Sequence, residues 1–131
     1  MAAIVLVVDD NPINLKLIKL ILADEGYELH TASNATETRN QLALVTPALI
    51  LMDIQLPGTD GLALTRELRQ IRRLDATFVV ALTAHAMKGD DAKALAAGCD
   101  GYITKPIDTE VLPRRLAELL AKPRRSGSSS S

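Results

Sequence analysis

Three aspartates, a threonine and a lysine each close a short apolar run. Asp9 and Asp10 follow Ile4–Val8, Asp53 follows Ala48–Met52, Thr83 follows Thr77–Leu82, and Lys105 follows Gly101–Thr104. If these runs are strands of one sheet, their ends meet. Three carboxylates gathered there repel one another and raise one another's pKa values until something positive neutralises them. A hard divalent cation with oxygen ligands does so, and Mg2+ suits a site with few carboxylates, retained waters and an incoming phosphate. A carboxylate nucleophile, a metal and an ammonium on the phosphoryl oxygens, and a hydroxyl donor are the parts of a phosphoryl-transfer centre.

The elements that must position these residues show in the apolar pattern. Ile4–Val8, Ala48–Met52 and Thr77–Leu82 lack period-two alternation, which marks strands covered on both faces; weaker strands fall at Tyr27–Ala32 and Gly101–Thr104. Asn11 followed by Pro12 predicts an N-cap with proline at the first helical position, and the helix is expected to run to about Glu25 and stop at Gly26. Further helices are expected over Asn34–Val45, Asp60–Arg72, Gly89–Ala97 and Leu112–Lys122. Pro113 should keep residues 107–111 irregular or 3-10, because proline beyond the first turn removes a hydrogen bond and clashes with the preceding turn. The alternation predicts an α/β domain, a doubly wound five-stranded parallel sheet of order 2-1-3-4-5 with five helices on its two faces. Ligands of such sheets bind beyond the carboxyl ends of the strands where the order reverses, here between the first and third.

Composition narrows the function classes. At 131 residues, 47% hydrophobic and 24% charged, the chain fits one folded domain, expected over residues 1–122, with a disordered Ser-rich tail over 123–131. A net charge of −1 gives no electrostatic basis for binding nucleic acid. Cys99 is the single cysteine and suits a reducing compartment. No apolar run approaches the roughly 20 residues that span a bilayer, and no basic segment precedes an export signal. The expectation is a soluble, cytoplasmic protein that does not bind membranes.

The pattern Asp9-Asp10, Asp53 within Met-Asp-Ile-Gln-Leu-Pro-Gly-Thr-Asp-Gly, Thr83-Ala84 and Lys105-Pro106 resembles the receiver domain of two-component response regulators. The intervals of 44, 30 and 22 residues between Asp9, Asp53, Thr83 and Lys105 fit that family without insertions, and the resemblance extends over residues 3–121. It implies a flavodoxin-like receiver fold and a phosphoacceptor in a phosphorelay, rather than an enzyme acting on separate substrates. By that resemblance, Asp53 takes a phosphoryl group from a phosphohistidine. Asp10 and Asp53 ligate Mg2+ directly with the main-chain carbonyl of Gln55, and Asp9 acts through water. Lys105 pairs with the phosphoryl oxygens and Thr83 hydrogen-bonds one of them. Tyr102 is the aromatic that turns inward when Thr83 moves, and Lys105-Pro106 is a cis peptide. Asn14, Leu17 and Ile107 stand where receivers dock the four-helix bundle of a histidine kinase or histidine phosphotransfer protein. The signal leaves through a changed surface of the fourth helix, fifth strand and fifth helix, to a downstream protein partner. The segment from Thr83 to Asp90 is similar to stand-alone receivers and to the receivers of hybrid histidine kinases.

Each residue also has a plainer reading. Asp9 and Asp10 could cap a helix, Asp53 could open the turn at Pro57-Gly58, Thr83 could be a strand-end hydroxyl, Lys105 a solvated charge and Tyr102 packing. Their joint occurrence in order favours the site. His85 is expected to flank the phosphoryl group opposite Gln55 and to influence attack by water; with no second histidine near, it is not a metal ligand. His30 is expected at an exposed strand end, and Cys99 as a small buried hydrophobe. In the first helix Ile13, Leu15, Leu17, Ile18, Leu20, Ile21 and Leu22 form a stripe wider than one core face needs, so some stay exposed beside Asp53. Leu95 is the only large apolar residue from Asp90 to Gly98, so the fourth helix should be lightly anchored and able to shift. Gly101, where dimerising DNA-binding regulators carry an acidic residue, argues with Pro113 against their mode of dimerisation. Two other readings fit less well. A metabolite phosphatase would place its nucleophile after the first strand in an Asp-x-Asp pattern and add a cap, but here the chain reads Asp9-Asp10-Asn11 and has no length for a cap. A degenerate scaffold would not retain Asp10, Asp53, Thr83 and Lys105 together.

Overall fold

Five aliphatic runs pair edge to edge: β1 (Ile4–Val8), β2 (Glu28–Ala32), β3 (Leu49–Asp53), β4 (Phe78–Thr83) and β5 (Gly101–Thr104). In the computed structural model, which describes residues 3–56, 58–84 and 90–122 without the side chains of Asp90 and Asp91, every pairing in this sheet is parallel and the order is β2-β1-β3-β4-β5. This is the expected doubly wound order. His85 and residues 123–131 lie outside the described residues.

Alternate strand residues face opposite sides, and both sides are covered. Leu6, Val8, Ile50, Met52, Val79 and Ala81 pack with residues of α2 (Ala35–Leu44), α3 (Gly61–Leu68) and α4 (Asp90–Ala97). Val5, Val7, Leu49, Leu51, Val80 and Leu82 pack with α1 (Pro12–Leu22) and α5 (Val111–Leu120). Double coverage explains the continuous apolar runs, since neither face returns to water. Each fully buried aliphatic side chain contributes roughly 1.5–3 kcal/mol.

Local chemistry sets the element ends. Asn11 caps α1 through its side chain, which accepts the Ile13 N–H at 2.9 Å, and Pro12 follows at the first helical position. The helix ends at Leu22, short of Glu25, and a turn carries the chain to Gly26 at φ +82°. Asp24 and Glu25 would oppose the negative end of the helix dipole, which favours the earlier stop. Asn34 caps α2, accepting the Glu37 N–H at 2.8 Å. Likewise, α3 ends at Leu68 rather than Arg72, and a 3-10 turn over Arg72–Leu74 buries Leu74. In α5 the first turn holds Pro113 where its missing N–H needs no partner, and Asp108 Oδ1 accepts the N–H groups of Glu110 and Val111 at 2.8 and 3.1 Å. Residues 107–110 are irregular, but the helix begins at Val111, one place before the expected Leu112, and ends at Leu120 rather than Lys122.

The chain stops α3 early where Arg69 turns its guanidinium inward. Its Nε donates to the Gly98 carbonyl at 2.9 Å, and Nη1 donates to the carbonyls of Thr77 (2.9 Å) and Leu74 (3.2 Å). Nη2 reaches Asp100 Oδ2 at 2.9 Å, and the same oxygen accepts the Val79 N–H at 2.9 Å. This network fastens the end of α3 to the starts of β4 and β5, the strands that carry Thr83 and Lys105. Arg69→Ala leaves Asp100 and three carbonyls without this donor, so unfolding free energy should fall by about 3 kcal/mol. Urea unfolding checks it; a loss below about 1 kcal/mol would show that water replaces the guanidinium.

Candidate functional site

Strand register builds the site. Val8 lies opposite Met52, Asp53 opposite Leu82, and Thr83 opposite Thr104. One residue further along β1 brings Asp9 beside Asp53, and one residue past β5 brings Lys105 to the same rim. The Asp9 N–H continues the ladder to the Ala32 carbonyl at 3.0 Å, and the Lys105 N–H to the Thr83 carbonyl at 2.7 Å. The Lys105-Pro106 peptide is cis, as the resemblance implies.

Carboxylate oxygens of Asp9, Asp10 and Asp53 lie within 4.8 Å of one another. Asp9 and Asp53 are buried, and Asp10 is exposed at the rim. Lys105 Nζ bridges the buried pair, 3.2 Å from Asp9 Oδ2 and 3.1 Å from Asp53 Oδ2. Asp53 Oδ1 accepts the Gln55 N–H at 2.9 Å, and Asp9 Oδ1 accepts the Asn11 N–H at 2.9 Å. Thr83 is buried at the end of β4. Tyr102 is half-buried against the core and lines a hollow of about 560 Å³ with Ile103, Pro106, Val111 and Arg115. The donor set of three carboxylates, one of them open to water, fits a hard divalent cation such as Mg2+.

Charge is under-compensated here. Burial pushes the Asp53 carboxyl above its ordinary pKa; the Gln55 N–H and the Lys105 ammonium pull it back without offsetting the rise, and Asp9 adds repulsion. Burial acts to lower Lys105, but its hydrogen bonds and attraction to Asp53 and Asp9 outweigh that and hold the ammonium above its usual value.

The structure departs from the sequence reading in places. Ile107, read as a docking residue, packs in the cluster of Leu112 and Leu116 and is 9% exposed. His30 lies in the middle of β2, half-buried, with Nε2 2.7 Å from Glu28 Oε2 rather than at an exposed strand end. Asn14, read only as a docking residue, also donates to Asp9 Oδ2 at 3.3 Å. Gly61 carries a constraint that the reading missed: a Cβ there would overlap the Asp53 carbonyl and the Ile54 Cα. Its signal was the glycine closing the Asp53 motif. Cys99 is buried as expected, its thiol pushed up to about 11 chiefly by burial. In α1, Ile18 and Leu22 are buried, while Ile13 (75%) and Leu20 (67%) stay exposed. In α4, Ala94 and Ala97 are buried and Leu95 is 58% exposed. At Gly101 a Cβ would sit 3.4 Å from Arg115 Nη2, so the guanidinium lies over the glycine.

A response regulator receiver domain model matches residues 5–117. The chain belongs to the response regulator receiver domain family. The phosphoacceptor role is general to receivers. The polar-differentiation response regulator DivK of Brucella anthropi is 42% identical over 103 residues, spanning 79% of this chain and 84% of that protein. Among solved structures, the receiver domain of a signal transduction histidine kinase from Syntrophus aciditrophicus superposes with a TM-score of 0.84 at 34% identity, covering 97% of this chain and 96% of that one. The receiver domain of a sensor histidine kinase from Pseudomonas aeruginosa, solved with magnesium coordinated in its active-site cleft, gives 0.83 at 31% identity, covering 93% and 100%. Within the described residues, no helix is long and apolar enough to cross a membrane.

The raised pKa of Asp53 fixes a sign. The unfolded carboxyl ionises at its ordinary value of about 3.9 and the folded one only at higher pH, so ionisation costs stability as pH rises through that interval. Asp53→Asn should therefore be more stable than the unmodified chain at pH 7 in metal-free buffer, with the gain shrinking towards pH 4. For Lys105, raised in the folded state, the contribution is fully present below about pH 10 and lost above it, so Lys105→Ala should be less stable at pH 7. Urea midpoints across pH test both; an Asp53→Asn variant less stable at pH 7 would contradict the charge balance.

Proposed function

We propose that Asp53 accepts a phosphoryl group from a phosphohistidine of a histidine kinase or phosphotransfer protein. The observation that supports this most is the Lys105 ammonium shared between Asp9 and Asp53 beside the exposed carboxylate of Asp10. An ionised Asp53 oxygen attacks phosphorus, the P–N bond breaks, and the imidazole, protonated on its other ring nitrogen, leaves as the neutral ring with the electron pair of that bond. Asp10 and Asp53 would hold Mg2+ with the Gln55 carbonyl, and Asp9 would act through water; when bound, the metal neutralises charge on the transferring oxygens. Lys105 moves its contact from Asp53 to a phosphoryl oxygen, and the Thr83 hydroxyl donates to another.

The new group carries about −1.5 to −2 charges, roughly half to one unit more negative than the carboxylate it replaces, and adds strong acceptors beside β4. Drawing Thr83 and Lys105 inward favours a second arrangement of α4, β5 and α5, with Tyr102 turning in, and a downstream protein reads that surface. The light anchoring of α4 by Ala94 and Ala97 suits such a shift. Incubation with acetyl phosphate and Mg2+ should give one adduct of about 80 Da (HPO3) by intact-mass spectrometry, absent from Asp53→Asn. An adduct retained in that variant overturns the assignment.

Asn14 and Leu17 then belong to the docking face for the histidine-bearing helical bundle, and Ile13 is exposed on the same helix. Ile13→Glu, at a position that is 75% exposed, should slow transfer from a phosphohistidine protein about tenfold more than labelling by acetyl phosphate. Equal slowing of both reactions would remove α1 from the docking face.

A further inference from the structure

The carboxylate of Asp9 is fully buried and held by three nitrogens. Its Oδ1 accepts the Asn11 N–H at 2.9 Å; its Oδ2 accepts Asn14 Nδ2 at 3.3 Å and lies 3.2 Å from Lys105 Nζ. Lys105 is shared with Asp53, and phosphoryl transfer draws it away. Asn14 is not shared in this way: it sits in the first turn of α1, fixed by the Asn11 cap and Pro12. We propose that Asn14 is a positioning residue of the acidic pocket, whose amide keeps Asp9 Oδ2 in place as Lys105 leaves, so that Asp9 stays aimed at the divalent cation.

The residue type matters. A neutral donor orients the carboxylate without cancelling its charge. A lysine or arginine there would compete with the cation, and an aliphatic side chain would leave Oδ2 dependent on the departing Lys105. Partners that orient a metal-binding carboxylate typically change metal affinity by about tenfold or more when removed. A substitution at Asn14 is therefore not a pure docking probe, since the same side chain serves the pocket.

The inference rests on the phosphoacceptor reading, and the test separates the two. Mg2+ binding is measured by titration calorimetry on the full chain, and acetyl phosphate labelling is followed at low and saturating Mg2+. Asn14→Ala should weaken Mg2+ binding about tenfold and slow labelling at low Mg2+, with labelling recovered at saturating Mg2+. Lys16→Ala, an exposed change on the same helix, should alter neither. In an Asp9→Asn background, Asn14→Ala should cause no further loss of Mg2+ affinity, whereas a general loosening of the fold would persist there and would not be recovered by Mg2+. If the unmodified chain binds Mg2+ and is labelled at Asp53 while Asn14→Ala matches it, this inference alone is overturned. If the unmodified chain neither binds Mg2+ nor is labelled, the phosphoacceptor reading fails, and this inference fails with it.

Discussion

Among the described residues, the Lys105 ammonium bridges two of the three carboxylates gathered at the end of the sheet. Two of those carboxylates are buried, and burial holds the Asp53 carboxyl above its ordinary pKa although the Lys105 ammonium pulls it down. The rest of the molecule holds that imbalance in place. Strand register aligns Asp9 with Asp53, Gly61 admits the Asp53 backbone at close range, the Asn11 cap orients α1 past the pocket, and the Arg69 network fixes the strands that deliver Thr83 and Lys105. A site kept short of positive charge fits a hard divalent cation such as Mg2+.

Rigidity is distributed unevenly around this pocket. β1, β3 and β4 are covered on both faces, so their ends are fixed to the register of the sheet. Beside them, α4 buries only Ala94 and Ala97 among its described side chains and leaves Leu95 outward. Arg69 fastens its Gly98 end. On the proposed reading, a charge change at Asp53 works against fixed strands and a lightly held helix, so the helix yields. Few methyl contacts need be exchanged, which keeps the two arrangements close in free energy.

Much of this was legible in the residues. β1 lies where its apolar run predicts, because burial on two faces leaves no polar interruption, and the weaker β5 run at the sheet edge also keeps its expected bounds. Asp53 is the last residue of β3 rather than the first beyond it, a difference of one place that leaves its chemistry unchanged. The helix ends were harder: α3 looks continuous to Arg72, yet the hydrogen bonds of Arg69 and the burial of Leu74 outweigh another helical turn. Ile107 could not be assigned a face, because an irregular segment has no period to project. Asn14 was visible as a polar residue on an apolar helix. Its reach to Asp9 depended on how tightly the chain turns from β1 into α1, which spacing alone does not fix.

The charge imbalance is tested most directly by the unfolding midpoint at pH 7 as Mg2+ is raised. A cation that binds the folded pocket stabilises it by mass action. The midpoint of the unmodified chain should climb with the logarithm of Mg2+ concentration, and that of Asp10→Asn should stay nearly flat. A flat response in the unmodified chain, or the same slope in both, would contradict the pocket's need for positive charge.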